Sequence, residues 1–553
     1  MLKLDRMFGK HMVLQREKQI PVWGQADAGS VITVKIEGKT YCGKVEEDGT
    51  FCVAVGPMTA GVCLTMEVKR FASEEAAAAG TEVLDQVTIK DVAVGEVWLA
   101  GGQSNMEFHM RFDADFAEEK EHLGQKTMAV MTQASQIRFF DYPEVTYDGQ
   151  IDEEPYAEAY AKNYAFWRTC DPENLERFSA VAYYFAKKIQ EAYGIPVGII
   201  GCNWGGTKAS SWMSKEALAA AGGQIYLDEY EAALKELDLA EYEEKFRANP
   251  GNYHTDLLAD PISNMMLEGA TKEEFMAAIQ KMTGMDLSQM DLDAMRPQLG
   301  PKSEQRPAGL YDAMLTKVAP YGIRGFIYYQ GESDGDAYRE LYETIFPGLI
   351  ENWRTLWGDP ELPFLFTQIA PLEQWMDCKG KDYIEIRRAQ QVTEDTVAGA
   401  HMVTTSDAGM QWDIHPKKKK PVGERLALQA RHYVYGEKVL SDAPRLVDAE
   451  VSDGELALIF ENAGKGLKLV DQDAYGNPVD GDALGGLVII QNGEKLEGTL
   501  EAEVTAKDTV SIFSDEIDAD AEILVEIGQT GWYVINLVNS EGIAARPEKL
   551  VVQ

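Results

Sequence analysis

At 553 residues the chain is too long for one hydrophobic core and has room for roughly three or four domains of ordinary size. Its hydrophobic fraction of 45% and aromatic fraction of 10% are those of a globular protein, which excludes a chain disordered throughout. Against 91 Asp and Glu stand only 52 Lys and Arg, and the resulting net charge of -39 repels nucleic-acid backbones and anionic membrane surfaces alike, so neither is expected as a partner.

Six cysteines, at 42, 52, 63, 170, 202 and 378, show no CxxC spacing of a zinc or redox site, so they read as mostly buried free thiols. The N-terminal segment has no apolar run of signal-peptide length, and no stretch approaches about 18 uninterrupted apolar residues. The expectation is a soluble cytoplasmic protein, or a secreted or periplasmic one if a leader has been removed.

Residues 1–90 alternate apolar and polar positions in short runs, such as Ser30-Val-Ile-Thr-Val-Lys-Ile and Thr50-Phe-Cys-Val-Ala-Val, between Gly, Asp and Pro turns. This predicts a small antiparallel β-sandwich, with a loop or short helix at the Ala-rich stretch 75–79. From Asp91 near-continuous apolar runs alternate with helical patterns, the signature of parallel strands covered on both faces. Strands are predicted at 92–100, 136–141, 196–202, 323–329, 363–369 and 401–406. A helix is predicted where Phe178, Val181, Ala182, Phe185, Ile189 and Ala192 recur at helical spacing, ended by Gly194 and Pro196. Residues 213–305 interrupt the alternation with Glu- and Met-rich helical segments, an acidic insertion within an α/β domain of residues 91–438. From about 439 to 553 a second β-domain closes the chain.

Four strand ends carry polar motifs. In Val97-Trp-Leu-Ala-Gly-Gly-Gln-Ser-Asn-Met a buried strand runs into two glycines and Ser104, so the serine sits at the carboxyl end of a strand, where open parallel sheets bind ligands. Taken alone, Ser104 reads more readily as a helix cap than as a nucleophile, and Met106 departs from the G-x-S-x-G elbow. A serine nucleophile needs a base; of seven histidines His11 lies in the N-terminal β-region, His254 in the helical insertion, and His109 and His122 at helical positions with no acidic partner in an obvious geometry, while His415 stands apart. Pro416 biases His415 toward extended backbone, which places Asp413, two residues before, on the same side. Asp413 would then accept a hydrogen bond from Nδ1–H and fix the tautomer in which Nε2 accepts the serine proton; the bland reading is a polar pair in a surface loop. Gly205 and Gly206 offer unobstructed amides to a developing oxyanion, and the Gln330 side chain offers a further donor, although glycines after strands are also ordinary turn residues.

Together these segments resemble the sialate O-acetylesterase family, a branch of the SGNH hydrolases. Its motifs stand here as Gly95-Glu-Val-Trp-Leu-Ala-Gly-Gly-Gln-Ser-Asn-Met-Glu, Asn203-Trp-Gly-Gly-Thr, Tyr311-Asp-Ala-Met, Tyr329-Gln-Gly-Glu-Ser-Asp, and Asp413-Ile-His-Pro with Gly423-Glu-Arg-Leu-Ala-Leu. Met12-Val-Leu-Gln-Arg and Pro21-Val-Trp-Gly extend the likeness to the N-terminal region. The resemblance implies a three-layer, flavodoxin-like SGNH sheet domain flanked by two β-sandwich domains, and hydrolysis of acetyl esters on mono- or oligosaccharides through an acetyl-enzyme. It implies Ser104 as nucleophile, His415 as base and Asp413 as its partner, with an oxyanion hole from Ser104, Gly205 or Gly206, and Gln330, and no metal or organic cofactor. Gln103, Asn105, Trp204, Thr207, Glu332 and Asp334 lie in the same motifs as candidate substrate contacts. The acidic insertion and the closing segment Gly528-Gln-Thr-Gly-Trp-Tyr depart from the family pattern.

Smaller signals have two readings each. Trp204 and Trp212 either stack on a sugar or pack in the core. Glu332 and Asp334 either serve a glycosidase or hydrogen-bond within a polar turn. Arg387 and Arg388 either meet a sugar carboxylate or form salt bridges, and Lys417 to Lys420 read as a solvated loop. An acetyl xylan or xyloglucan esterase, a glycosidase and a non-catalytic carbohydrate-binding protein are the alternatives to a sialate-directed enzyme.

Overall fold

A computed structural model describes residues 1–132, 135–259, 261–283 and 298–552 of the chain. Its central sheet contains β1 (Asp85–Gly102), β2 (Ile137–Asp141), β3 (Trp167–Thr169), β4 (Val197–Asn203), β5 (Gly325–Tyr329), β6 (Phe364–Thr367) and β7 (Ala400–Val403). The spatial order is β3-β2-β4-β1-β5-β6-β7. All neighbours run parallel except β3, which pairs antiparallel with β2 at the edge. Five of the six predicted strands are observed within a few residues of their expected bounds, and the first extends well beyond it. Burial on both faces is what made them legible: Phe326, Ile327, Tyr328 and Tyr329 of β5 are all inaccessible to solvent or nearly so.

Five helices matter to the site: α1 (Ser104–Glu107), α2 (Ala180–Tyr193), α3 (Tyr342–Trp357), α4 (Ile384–Thr396) and α5 (Lys420–Gln429). The Ser179 hydroxyl caps the start of α2, and Gly194, at φ 64°, ends it. Trp98 of β1 meets Phe185 of α2 edge to face at 5.0 Å. From α3, Trp353 packs on Phe326 and Tyr328 at 5.4 and 5.7 Å. Trp98 and Gly101 lie on opposite faces of β1 because side chains alternate along a strand.

β1 occupies the switch point of the sheet, with β4 on one side and β5 on the other, so the chain leaving β1 enters a crevice between two diverging connections. Two glycines let it do so. A Cβ on Gly101 would lie 2.6 Å from the Trp353 ring, and Gly102 has φ +132° with a Cβ position 2.2 Å from the Tyr329 carbonyl oxygen. Only residues without side chains let β1 lie this close to α3 and β5 while turning into α1.

The N-terminal region is less separate than its composition suggests. Its strands Gly61–Phe71 and Val13–Gln15 pair directly with β1, antiparallel and parallel respectively, so the boundary expected at residue 90 falls inside one 18-residue strand. The Ala-rich stretch forms a helix, Glu74–Ala79, capped by Ser73. The C-terminal region has its own hydrophobic core, around Leu456, Ile489, Ile512 and Val525, between two four-stranded antiparallel sheets. Its Gly528-Gln-Thr-Gly segment does make contact: Arg387, buried, donates to the Thr530 carbonyl, and the Leu372 amide donates to the Gly531 carbonyl. Arg388 instead pairs with Glu343 on α3.

The insertion is helical, with segments at Lys215–Ala220, Gln224–Glu236, Leu239–Ala248, Pro261–Glu268 and Lys272–Thr283; its stretch 284–297 lies outside the described residues. The cysteines correct one expectation. Cys170 and Cys202 are buried, but Cys42, Cys52 and Cys63 are exposed, on strands whose other face supplies the core. Among the described residues no helix is long and apolar enough to cross a membrane.

Gly102→Ala tests the close approach. It is expected to lower the unfolding free energy by roughly 2 to 3 kcal/mol in denaturant titration, because either the Tyr329 carbonyl or the turn into α1 must shift.

Candidate active site

Ser104 opens α1, and as a residue of the first helical turn its amide has no intrahelical partner. Its hydroxyl Oγ lies 2.9 Å from His415 Nε2, a contact between residues 311 apart in sequence. The imidazole is 3% exposed and is buttressed edge-on by Trp375, with ring centroids 5.2 Å apart. Burial, followed by the charges of Lys417 and Lys419, holds the His415 pKa well below the ordinary 6.5, against a smaller upward pull from the Met266 backbone. The lowered pKa favours the neutral ring, whose Nε2 can accept the Ser104 proton in the tautomer that carries its hydrogen on Nδ1.

Asp413 stands beside the ring but does not bond to it. Its Oδ1 is 3.8 Å from His415 Nδ1, outside hydrogen-bond distance. The same oxygen accepts the His415 backbone amide at 2.8 Å, and Oδ2 takes the Lys417 ammonium at 2.8 Å. Two closer donors thus hold the carboxylate away from the expected geometry.

Lys417 to Lys420 do not form a solvated loop. Lys419 is fully buried, Lys417 also donates to the Leu267 carbonyl, and Lys418 reaches Asp115. The helix Pro261–Glu268 brings Leu267 and Met266 here, and a Cβ on Gly269 would lie 2.6 Å from Asp413 Oδ2. The acidic insertion therefore packs directly on the segment that carries His415.

The oxyanion donors divide. Gly205 lies against the nucleophile, since a Cβ there would be 3.2 Å from Ser104 Cβ, but its amide donates to Glu107 Oε2 at 2.8 Å. Gly206, at φ +74°, is exposed beside it. Gln330 has its carboxamide bonded within the core. It is fully buried, and its carboxamide nitrogen donates to Asp334 and to the Thr207 carbonyl, while Tyr328 and Tyr342 donate to its oxygen at 3.1 Å each. Both hydrogens are taken within the core, so the expected direct donation is replaced by a structural role.

The candidate substrate contacts are mostly interior. Gln103 accepts the Ser333 amide at 3.2 Å and joins the ends of β1 and β5. Thr207 donates to the Trp204 carbonyl at 2.8 Å and accepts from the Trp212 indole at 2.9 Å. Trp212 is buried, and Trp204, 6% exposed, meets His254 edge-on, so neither presents a free face to a sugar. Asp334 accepts the Ala209 amide, and burial raises its pKa to about 6. Glu332, likewise raised by burial, accepts from Asn105 at 2.5 Å. Both carboxylates are engaged by the protein, which gives the glycosidase alternative no support.

Asn105, the residue after Ser104, is fully buried; its Nδ2 also donates to the Ile414 carbonyl at 3.0 Å, and its Oδ1 accepts from Lys419. Sequence reasoning missed Lys417, Lys419 and Glu107 as members of this cluster. Lys417 lies four residues beyond Asp413, but the segment between them is not helical, so spacing alone gave no signal for the pair. Among the described residues no group of three or more His, Cys, Asp or Glu is arranged to hold a metal ion.

Residues 301–432 match the family described as carbohydrate esterase, sialic acid-specific acetylesterase. The chain is 26% identical over 480 residues to the sialate O-acetylesterase of Mus musculus, spanning 82% of this chain and 77% of that protein. Its identity to the Homo sapiens sialate O-acetylesterase is 23% over 458 residues, spanning 78% and 70%. A carbohydrate acetylesterase from Xanthomonas citri shares the fold, with a TM-score of 0.69 and 24% identity over 100% of this chain and 99% of that one. With these likenesses beside the site, the chain is an ester hydrolase. Within that class it is similar to the sialate O-acetylesterases, as its motifs imply.

The role of Gln330 is open to direct test. Gln330→Ala leaves Asp334 and two tyrosines without their partner and is expected to cost roughly 3 kcal/mol of stability in denaturant unfolding. A variant of unchanged stability with lost turnover would restore Gln330 to the oxyanion hole.

Proposed function

We propose that this protein is a carbohydrate O-acetylesterase that hydrolyses acetyl esters on sugars, with Ser104 as nucleophile and His415 as general base. The observation that carries the reading is the 2.9 Å contact between the Ser104 hydroxyl and His415 Nε2 at the carboxyl edge of a parallel sheet. The Ser104 oxygen attacks the acetyl carbonyl while its proton passes to Nε2. The tetrahedral intermediate collapses, the sugar hydroxyl leaves with that proton, and Ser104 keeps the acetyl group. A water molecule then repeats the attack, and acetate leaves with Ser104 restored.

Negative charge on the carbonyl oxygen is received by the Ser104 amide and by the glycine pair Gly205-Gly206. Because Glu107 takes the Gly205 amide, this donor becomes available only when the Glu107 carboxylate gives it up. Asp413 supports the imidazolium as a charge at 3.8 Å and approaches further when Lys417 releases it. We read the architecture as an SGNH-type layered domain whose sheet runs without a break into the N-terminal β-region through Asp85–Gly102, followed by a β-domain at 439–553. The substrate is an acetylated mono- or oligosaccharide, with acetylated sialic acid favoured by the relatives' names.

Purified protein is expected to release acetate from acetylated sugars, followed by enzymatic acetate assay. Ser104→Ala should reduce kcat by about 10⁴-fold or more with an unchanged circular dichroism spectrum. Full activity in that variant would remove Ser104 as nucleophile.

The pH profile gives a second test. A base whose pKa is lowered stays unprotonated on acidification, so kcat/KM is expected to hold through pH 6.5 and fall only below it. Lys417→Met removes one depressing charge and frees Asp413, so its acid limb should move to higher pH. A limb that stays in place would contradict the assignment of His415 as the titrating base.

A further inference from the structure

Lys419 has no part in the reaction outlined above, yet it is fully buried one residue's reach from the nucleophile. Its ammonium donates to Asn105 Oδ1 and lies over the rings of Phe108 and Tyr329, at 4.5 and 5.5 Å from their centroids. Its backbone amide donates to Asp113 Oδ2 at 2.9 Å, and Asp113 is itself fixed by the Tyr184 hydroxyl at 2.8 Å and the Phe116 amide at 3.0 Å. Lys419 also stands immediately before α5. Its position is thus set by groups that belong to neither Ser104 nor His415.

The Asn105 carboxamide is used at every atom. An ammonium can only donate, whereas a carboxylate and a backbone carbonyl can only accept. With Lys419 on Oδ1, and Glu332 and the Ile414 carbonyl on Nδ2, the amide has one permitted orientation. That amide spans the site, because Asn105 follows Ser104 and Ile414 precedes His415. The line from the Lys419 amino group through the amide to Glu332 also joins two buried ionisable groups whose charged forms burial disfavours, the Lys419 pKa being lowered to about 7 and that of Glu332 raised.

We propose that Lys419 is a positioning residue for the ester hydrolysis: through Asn105 its ammonium fixes the Ser104 hydroxyl and the His415 imidazole relative to one another. Without it, Oδ1 is a buried acceptor lacking its donor; Glu332 and Ile414 still select which way the amide faces, but its position between them is no longer fixed and the hold on the Ile414 carbonyl loosens. The expected consequence is a hydroxyl and imidazole out of register, with substrate binding little changed. The inference rests on the reading of Ser104 and His415 as the reacting pair.

The test uses the full-length chain with an acetylated sugar and compares Lys419→Met, Asn105→Asp and Ser104→Ala. Lys419→Met keeps the unbranched shape without the charge, and kcat is expected to fall about 100-fold while KM moves by less than about threefold. Asn105→Asp, which sets a carboxylate against Glu332 and removes the donor to Ile414, should show the same kcat-selective loss. A folded Lys419→Met enzyme with kcat within about threefold of the parent overturns the proposal, as does a loss that merely follows the folded fraction. Should Lys419→Met fail to fold, Asn105→Asp decides by the same criteria. Retained turnover in Ser104→Ala is a different failure, of the nucleophile assignment, and removes the basis of the inference as well.

Discussion

The hydrogen bond from Ser104 to His415 joins two residues 311 apart, and it forms only because a parallel sheet gathers the carboxyl ends of distant strands on one edge. β1 delivers the serine between β4 and β5, and the segment after β7 returns the histidine across the same edge. The geometry depends on Gly101 and Gly102, where any side chain would collide with Trp353 or with the Tyr329 carbonyl. Once β1 is seated this closely, the hydroxyl at the head of α1 has little freedom, and the imidazole needs only to be held against it.

Holding the imidazole is the work of a buried polar network. Asp413 fixes the backbone amide of His415 and the Lys417 ammonium, while Trp375 closes one side of the ring. Met266, Leu267 and Gly269 bring the helical insertion onto the same segment, which makes the insertion a wall of the site. Buried ions are costly unless paired, and here burial lowers the pKa of Lys417 and brings that of Lys419 down to about 7, against the pull of Asp413, Asp113 and Glu332 nearby. The two lysines have a chemical effect as well. They add to burial in keeping the imidazole neutral, the form in which it accepts a proton.

Much of this was legible in the sequence because it follows from local patterns. The apolar runs gave the sheet, the two glycines before Ser104 marked a strand end, and Asp413-Ile-His-Pro put a carboxylate and an imidazole on one side of an extended segment. Partner choice was not legible. Gln330 has the right chemistry for an oxyanion donor, but whether its amide meets a substrate or Asp334 depends on how β5 packs against the loop at Thr207. The lysine run looked solvated because four adjacent charges usually are, yet tertiary contacts bury one of them entirely and bind another to Asp413. Cys42 and Cys52 show the same limit in reverse: apolar by type, they occupy the outward positions of strands. Sequence pattern fixes which face an element buries far better than it fixes which neighbour a polar group meets.

The central claim is that Ser104 carries the acetyl group between the two halves of the reaction. Acid quench during turnover of an acetylated sugar, followed by proteolysis and peptide mass spectrometry, examines it directly. The account requires one added acetyl on the peptide that contains Ser104, with fragmentation locating it at that residue. An acetyl group trapped on a different side chain would contradict it.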